Sequence, residues 1–192
     1  MHTKTPFQYS PLGQRIKSVL HTKLGARIGF FFGISGFNSI EAIITRANGK
    51  REVIRSYNSR VNKGADLIAS LITGASQNSI TSPLPPKYIA LSTSSLTPAA
   101  GDTTLTGETA ASGLARALGT QGTYTGPSTL DGAASYIVSK TFTNTSAGSV
   151  TIVSAALFDA ASSGNLFVEA NLATSAVLAV NDQLTINWTV NL

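Results

Sequence analysis

Between residues 183 and 192 the chain alternates without a break. Leu184, Ile186, Trp188, Val190 and Leu192 fall on one side, and Gln183, Thr185, Asn187, Thr189 and Asn191 on the other. A period of two over that length predicts a strand with one face on a core and the other in water. The same pattern, less regular, recurs over 134–143 (Ala-Ser-Tyr-Ile-Val-Ser-Lys-Thr-Phe-Thr), 149–158 (Ser-Val-Thr-Ile-Val-Ser-Ala-Ala-Leu-Phe) and 166–172 (Leu-Phe-Val-Glu-Ala-Asn-Leu). A shorter apolar run, Tyr88-Ile-Ala-Leu91, leads into about a dozen Ser, Thr, Gly, Pro and Ala residues. Turn residues separate all of these runs, and no helix is long enough for a crossover between parallel strands. The pattern predicts a mainly β fold, an antiparallel β-sandwich of jelly-roll-like type.

The earlier part of the chain reads differently. Glu41–Arg46 and Arg51–Tyr57, both rich in β-branched residues, flank Ala-Asn-Gly-Lys. Asn48-Gly49 suits the positive φ values of a two-residue type I′ turn, so a β-hairpin is expected. From Asn62 to Thr73 the period lengthens. Leu67, Ile68, Leu71 and Ile72 form a helical stripe that Gly74 ends. The Pro-rich connector 75–86 is the expected boundary. Three parts follow: an extended arm over 1–40, the hairpin and short helix over 41–74, and the sandwich over 75–192.

Charge sharpens that division. Residues 1–63 carry eleven Lys and Arg against two acids, and the remainder three bases against seven acids, so a +9 segment precedes a −4 body. A split of this kind suits a basic segment addressed to an acidic partner. Within the arm, Gly25, Gly29 and Gly33 recur beside Phe30, Phe31 and Phe32. Three readings stand open there: a small-residue helix face, nucleic-acid contact through stacked Phe, and phenylalanines docked on a neighbouring subunit or on the chain's own body. The residues expected to bind a partner are Phe30, Phe31 and Phe32 with Arg46, Arg51 and Arg55 of the hairpin.

Composition argues against several chemistries. There is no Cys, and His2 and His21 both lie in the arm. A Ser–His–acid arrangement would therefore have to reach across the expected boundary. Asp102, Asp131, Asp159 and Asp182 stand in turn-like contexts, where Asp bonds its own backbone. No Asp-x-Asp calcium loop and no Gly-Lys-Ser/Thr phosphate loop occurs. Asn144-Thr-Ser and Asn187-Trp-Thr are formal glycosylation sequons. Neither a secretory leader nor an apolar run of about 20 residues is present. The expectation is a protein that is not an enzyme, holds no cofactor or metal and does not enter a membrane.

The order of these elements resembles a group of small structural proteins of tailed-bacteriophage virions. The resemblance covers about 41–192 and rests on weak elements in a fixed order. Leu91-Ser-Thr-Ser is followed by Asp102, Leu105 and Glu108 and then Arg116. Ala156-Leu-Phe158 with Gly164-Asn-Leu166 comes next, and Asp182-Gln-Leu-Thr-Ile-Asn-Trp188 closes the series. Ser92, Ser154 and Asn181 depart from the group's usual Gly, acid and Gly, which puts fine geometry in question. The resemblance implies a virion component. With the basic leading third it suggests a capsid decoration or cement protein, bound to other virion proteins and above all to the major capsid protein. A homo-oligomer is expected, and a trimer suits a local threefold position. Two other functions stay open: a tail- or fibre-associated protein whose loops 92–107 and 119–132 touch a host glycan, and nucleic-acid contact by the arm. The small-residue segment after Leu91 reads as a crossover with Asp102 and Glu108 as local caps, not as a ligand site.

Overall fold

The structure is a computed structural model that describes residues 39–76, 80, 84–126 and 134–191. Among the described residues, ten strands and one helix follow one another: β1 (Ser39–Thr45), β2 (Arg51–Tyr57), β3 (Ser59–Arg60), α1 (Asn62–Thr73), β4 (Tyr88–Ser92), β5 (Ala117–Leu118), β6 (Thr120–Gln121), β7 (Ser135–Thr143), β8 (Val150–Phe158), β9 (Leu166–Leu178) and β10 (Gln183–Asn191). They form two five-stranded antiparallel sheets, β2-β1-β10-β7-β6 and β3-β9-β8-β4-β5. This is the antiparallel sandwich expected from the alternation. In β10, Leu184, Ile186, Trp188 and Val190 are all buried. They meet Ile40, Ala42 and Ile44 of β1 and Val138 and Phe142 of β7. Ile89, Leu91, Ala155, Leu157, Val168 and Ala170 come from the second sheet.

β1 lies inside the first sheet, paired with β10 from Ser39↔Thr189 to Thr45↔Gln183. The hairpin and α1 share the core of the later strands. Leu67 of α1 and Ile40 of β1 thus belong to the same cluster as Trp188 and Val190 of β10. The hairpin turn differs from expectation. Arg46 N–H donates to Lys50 O and Gly49 N–H to Arg46 O, both at 2.8 Å. Gly49 has φ +83, whereas Asn48 is not among the residues with positive φ. This is a three-residue loop ending in a left-handed glycine. Asn48 bonds forward instead, its Oδ1 accepting from Lys50 N–H at 3.0 Å.

α1 ends where the sequence predicts, at Gly74, whose φ of 66 places it in the left-handed region with its N–H on Ser70 O. Its start has no side-chain cap, and Asn62 N–H donates to Ala100 O at 2.8 Å. The apolar stripe is buried only in part: Leu67 is sealed, but Leu71 and Ile72 stay 41% and 79% exposed. The helix touches the body along the narrow line Gly64–Leu67–Ser70, so residues a little off that line remain in water. Gly64 sets the approach, because a Cβ there would stand 2.1 Å from the backbone oxygen of Phe167 in β9.

The segment 93–107 forms a third layer. Leu96 and Leu105 pack over Ala90, Ala156, Phe158 and Leu166, which project from the outer face of the second sheet. Polar ties hold it down. Leu96 N–H donates to Asn171 Oδ1 at 2.8 Å while Asn171 Nδ2 donates to Leu96 O at 2.9 Å. Ser154 Oγ donates to Ser94 O at 2.8 Å and Ser92 Oγ to Thr106 O at 2.5 Å. So Ser92 and Ser154, two departures from the group's pattern, fasten this cover.

A clamp joins the hairpin turn to the β9–β10 turn. Asp182 is buried, and its carboxylate accepts from Arg46 at 2.8 Å, from Ala47 N–H at 2.9 Å and from Ala179 N–H at 3.0 Å. Arg46 also pairs with Glu52 at 3.1 Å and donates to Val177 O. The Arg46 guanidinium, followed by the two backbone donors, holds the Asp182 carboxyl below its usual range despite burial.

Two outcomes are expected from this packing. Gly64→Ala raises helix propensity, yet it should destabilise the fold by about 2 kcal/mol in urea unfolding, because the new methyl collides with rigid backbone. Asp182→Ala should cost about 3 kcal/mol at neutral pH by stranding the clamp's donors. A carboxyl depressed by folding stabilises above its ordinary value of 3.8 and loses that contribution as pH falls through the lower folded value. The gap between wild type and Asp182→Ala should therefore shrink at pH 3, and a constant gap would contradict the clamp.

Candidate functional site

The outer face of the first sheet is open, and its rows can be read straight from the register. One row crosses four strands as a hydrogen-bonded chain. Ser139 Oγ of β7 donates to Asn187 Oδ1 of β10 at 2.7 Å, Asn187 Nδ2 donates to Glu41 Oε2 of β1 at 3.3 Å, and Arg55 of β2 reaches Glu41 Oε1 at 2.8 Å. In the next row Thr141 and Thr185 hydroxyls share a bond of 2.8 Å. Such cross-strand pairs rigidify a polar face while leaving it nearly free of net charge.

The face changes character at its edge. β2 alternates Arg51, Val53, Arg55 and Tyr57 outward, all exposed. Val53 and Tyr57 are 49% and 44% exposed. The three arginines expected to bind a partner are thus sorted. Arg46 is committed to the internal clamp and its pKa is raised by Asp182 and then Glu52. Arg55 keeps its outer side free while pairing with Glu41, and its side chain is 74% exposed. Arg51 stands at the exposed start of the same stripe. Phe30, Phe31 and Phe32, like all of residues 1–38, lie outside the described residues.

A second candidate place is an open cleft of about 450 Å³ lined by Glu108, Thr109, Arg116, Ser162 and Ser163 among others. Its charged floor is already occupied. Arg116 bonds both Glu108 oxygens, at 2.8 and 2.6 Å, and donates to Ser163 O at 2.8 Å. Its guanidinium lies 3.5 Å from the centroid of the Phe158 ring. Glu108 is therefore half of a brace between the cover and the β8–β9 turn, not the local cap expected of it. Asp102 does cap locally, accepting from Ala99 N–H at 2.6 Å.

The remaining polar candidates serve the turns. Asp159 accepts from Asn165 N–H and Nδ2, both at 2.6 Å. Asn144, first residue of one sequon, is buried and donates to Gly148 O, Leu178 O and Ala179 O. Asn187, first residue of the other, is the link in the four-strand row. Among the described residues no three of His, Cys, Asp and Glu stand close enough to share a metal. Nor does any described helix have the length and apolarity to cross a membrane.

Sequence reasoning passed over one group. Glu169 sits in mid-strand within Leu-Phe-Val-Glu-Ala-Asn-Leu and is only 1% exposed. Burial, and after it the influence of the Asp102 carboxyl, push its carboxyl up to about 7. A lone acid inside an apolar strand was the available signal.

A family model described as podophage GP4 fiber I protein gp80 matches residues 66–189. No curated protein matches. The match starts inside α1 and ends inside β10, so it takes in the cover, the Glu108–Arg116 brace and most of both sheets, while the stripe on β2 precedes it. It agrees with the resemblance drawn from Leu91, Asp102, Glu108, Arg116 and the last strand. Spanning well over half of the sequence, the match establishes that this chain belongs to the podophage GP4 fiber I protein (gp80) family and is a virion component of a tailed phage.

Proposed function

We propose that this chain is a non-catalytic, fibre-associated structural subunit that is moored to an acidic neighbour in the particle by its basic leading third. The observation that carries this reading is the exposed stripe Arg51–Val53–Arg55–Tyr57 on β2. It combines cations, which steer and orient an acidic partner, with an apolar and an aromatic side chain that can be buried on contact. It also belongs to the first 63 residues, which carry the +9 charge. The family's description as a fibre protein favours the tail over the head. Capsid decoration, with the major capsid protein as partner, would use the same stripe against the shell and differs only in where the subunit sits. Self-association into a trimer would multiply weak contacts of this kind through avidity.

The test uses the full chain and particles assembled without it. Wild-type protein should sediment with the particles and appear as added density at the tail. The double variant Arg51→Glu, Arg55→Glu should bind at least about tenfold more weakly, and wild-type binding should weaken with salt. Undiminished binding of the double variant would remove the stripe from the interface. Density confined to the head would replace the fibre reading by decoration.

A further inference from the structure

We propose that β2 is a docking edge that takes up an extended acidic segment of a neighbouring virion protein as an added antiparallel strand. The inference rests on the reading of the Arg51–Val53–Arg55–Tyr57 stripe as the mooring surface, and it names what that surface recognises. β2 closes one side of the first sheet, with β1 as its neighbour there. The bond from Arg46 N–H to Lys50 O makes these two residues the first bonded pair of the hairpin. Antiparallel ladders alternate, and the register continues through Thr45↔Arg51 and Ile44↔Glu52, so Glu52, Ile54 and Ser56 aim their backbone groups at β1. The N–H and C=O groups of Arg51, Val53, Arg55 and Tyr57 point the other way. Among the described residues, none of these four has a backbone partner on that side.

The side chains of the same four residues are exposed, so donors, acceptors, cations and apolar surface coincide along one edge. β9 reaches β2 at Ser56, whose buried hydroxyl accepts from Ala173 N–H. The two strands exchange no backbone bond, and Ala173, Thr174 and Ser175 of β9 are themselves exposed. Charge selects the occupant. Arg51 stands opposite Thr45, with no acid across from it. Arg55 has Glu41 at 2.8 Å yet keeps a side chain that is 74% exposed. Two copies joined edge to edge would gather two arginines from each on one face, and crowding of like charge is how edge strands avoid one another. An acidic strand turns the same residues into attractions. Opposite Tyr57, Arg55, Val53 and Arg51 it would carry apolar, acid, apolar and acid at alternate positions, with the acids about 13 Å apart.

The probe is the end-capped peptide Val-Thr-Glu-Thr-Val-Thr-Glu, titrated against the full chain. It should bind, weaken with salt, and lose at least about tenfold in affinity when both Glu are replaced by Lys. N-methylation of both Glu removes donors aimed at β2 and should also cost about tenfold, whereas N-methylation of two Thr, whose N–H groups point away, should cost little. On the protein side, Val53→Pro deletes one outward N–H while leaving both arginines and the bonds to β1 in place, as proline does on edge strands. It should weaken the unmethylated peptide about tenfold. Should that variant not fold, the methylated peptides on wild type decide. Equal binding of the two methylated peptides would overturn strand addition and leave the stripe as a side-chain surface. Undiminished particle binding by Arg51→Glu, Arg55→Glu would overturn the stripe and this proposal together. A peptide that does not bind wild type would overturn the proposal. So would self-association of the chain that Val53→Pro abolishes, since the edge would then belong to a second copy.

Discussion

The pairing of β1 with β10 is the constraint on which the rest depends. It brings residues 39–45 against residues 183–189 and inserts the last long strand between an early strand and β7. Because side chains alternate, a slip of one residue would turn Leu184, Ile186 and Trp188 out to water and bring Thr185 and Asn187 into the core. Nothing in a flat Thr- and Ser-rich face would resist that slip. The inner face resists it through burial, and the Asp182 clamp resists it through geometry, since Ala47 N–H and Arg46 meet the carboxylate in one register only. The clamp sits at the end of the pairing where the hairpin turn and the β9–β10 turn come together. Burying a charge is costly, but here its three donors come from two turns that must be brought together anyway.

Elements whose evidence is local were legible in the sequence. The period of two in β10, the helix ended by Gly74 and the hairpin around Asn48-Gly49 each depend on neighbours in the chain. What escaped depends on neighbours in space. The turn type escaped because Asn-Gly also fits a three-residue loop, in which Gly49 alone takes positive φ. That Leu67 of α1 shares a core with the later strands escaped because composition changes over 75–86 while the packing partners lie far apart in the chain. Which half of the helical stripe is buried escaped because amphipathic spacing cannot show how narrow the supporting surface is. The later half of β9, Ala173–Leu178, shows no strong alternation and is held by β8 across a register shift between Ile152 and Ser154.

Charge was legible as a sum and not as a distribution. Eleven bases in the first 63 residues made a basic segment certain. The sum could not tell that Arg46 neutralises a buried carboxylate or that Arg55 answers Glu41 across the hairpin. Spacing within a strand separates these roles only after the register is known. Arg51 and Arg55 share a face with Val53 and Tyr57, while Arg46 sits beyond the strand end and turns toward Asp182. The same holds for Glu169, whose burial follows from the pairing of β9 with β8 and β3 and not from its neighbours in the chain.

The covered second sheet decides which surface is left for a partner. A sheet in a two-layer sandwich normally keeps one wet face, and here the second sheet gives up most of its own to segment 93–107. Small residues make that possible: Ala90 and Ala156 let the cover approach closely, and Ser92 and Ser154 replace strand-to-water hydrogen bonds with bonds to the cover. The first sheet keeps its outer face, and it satisfies that face by side-chain bonds between strands, as in the row from Ser139 to Arg55. Low charge in the body is then a consequence of design by hydroxyl and amide, which need no counter-ions and pack flat. On such a surface the cationic, aromatic edge at β2 is the place where binding energy can be concentrated, and it belongs to the first 63 residues, which hold eleven of the fourteen bases.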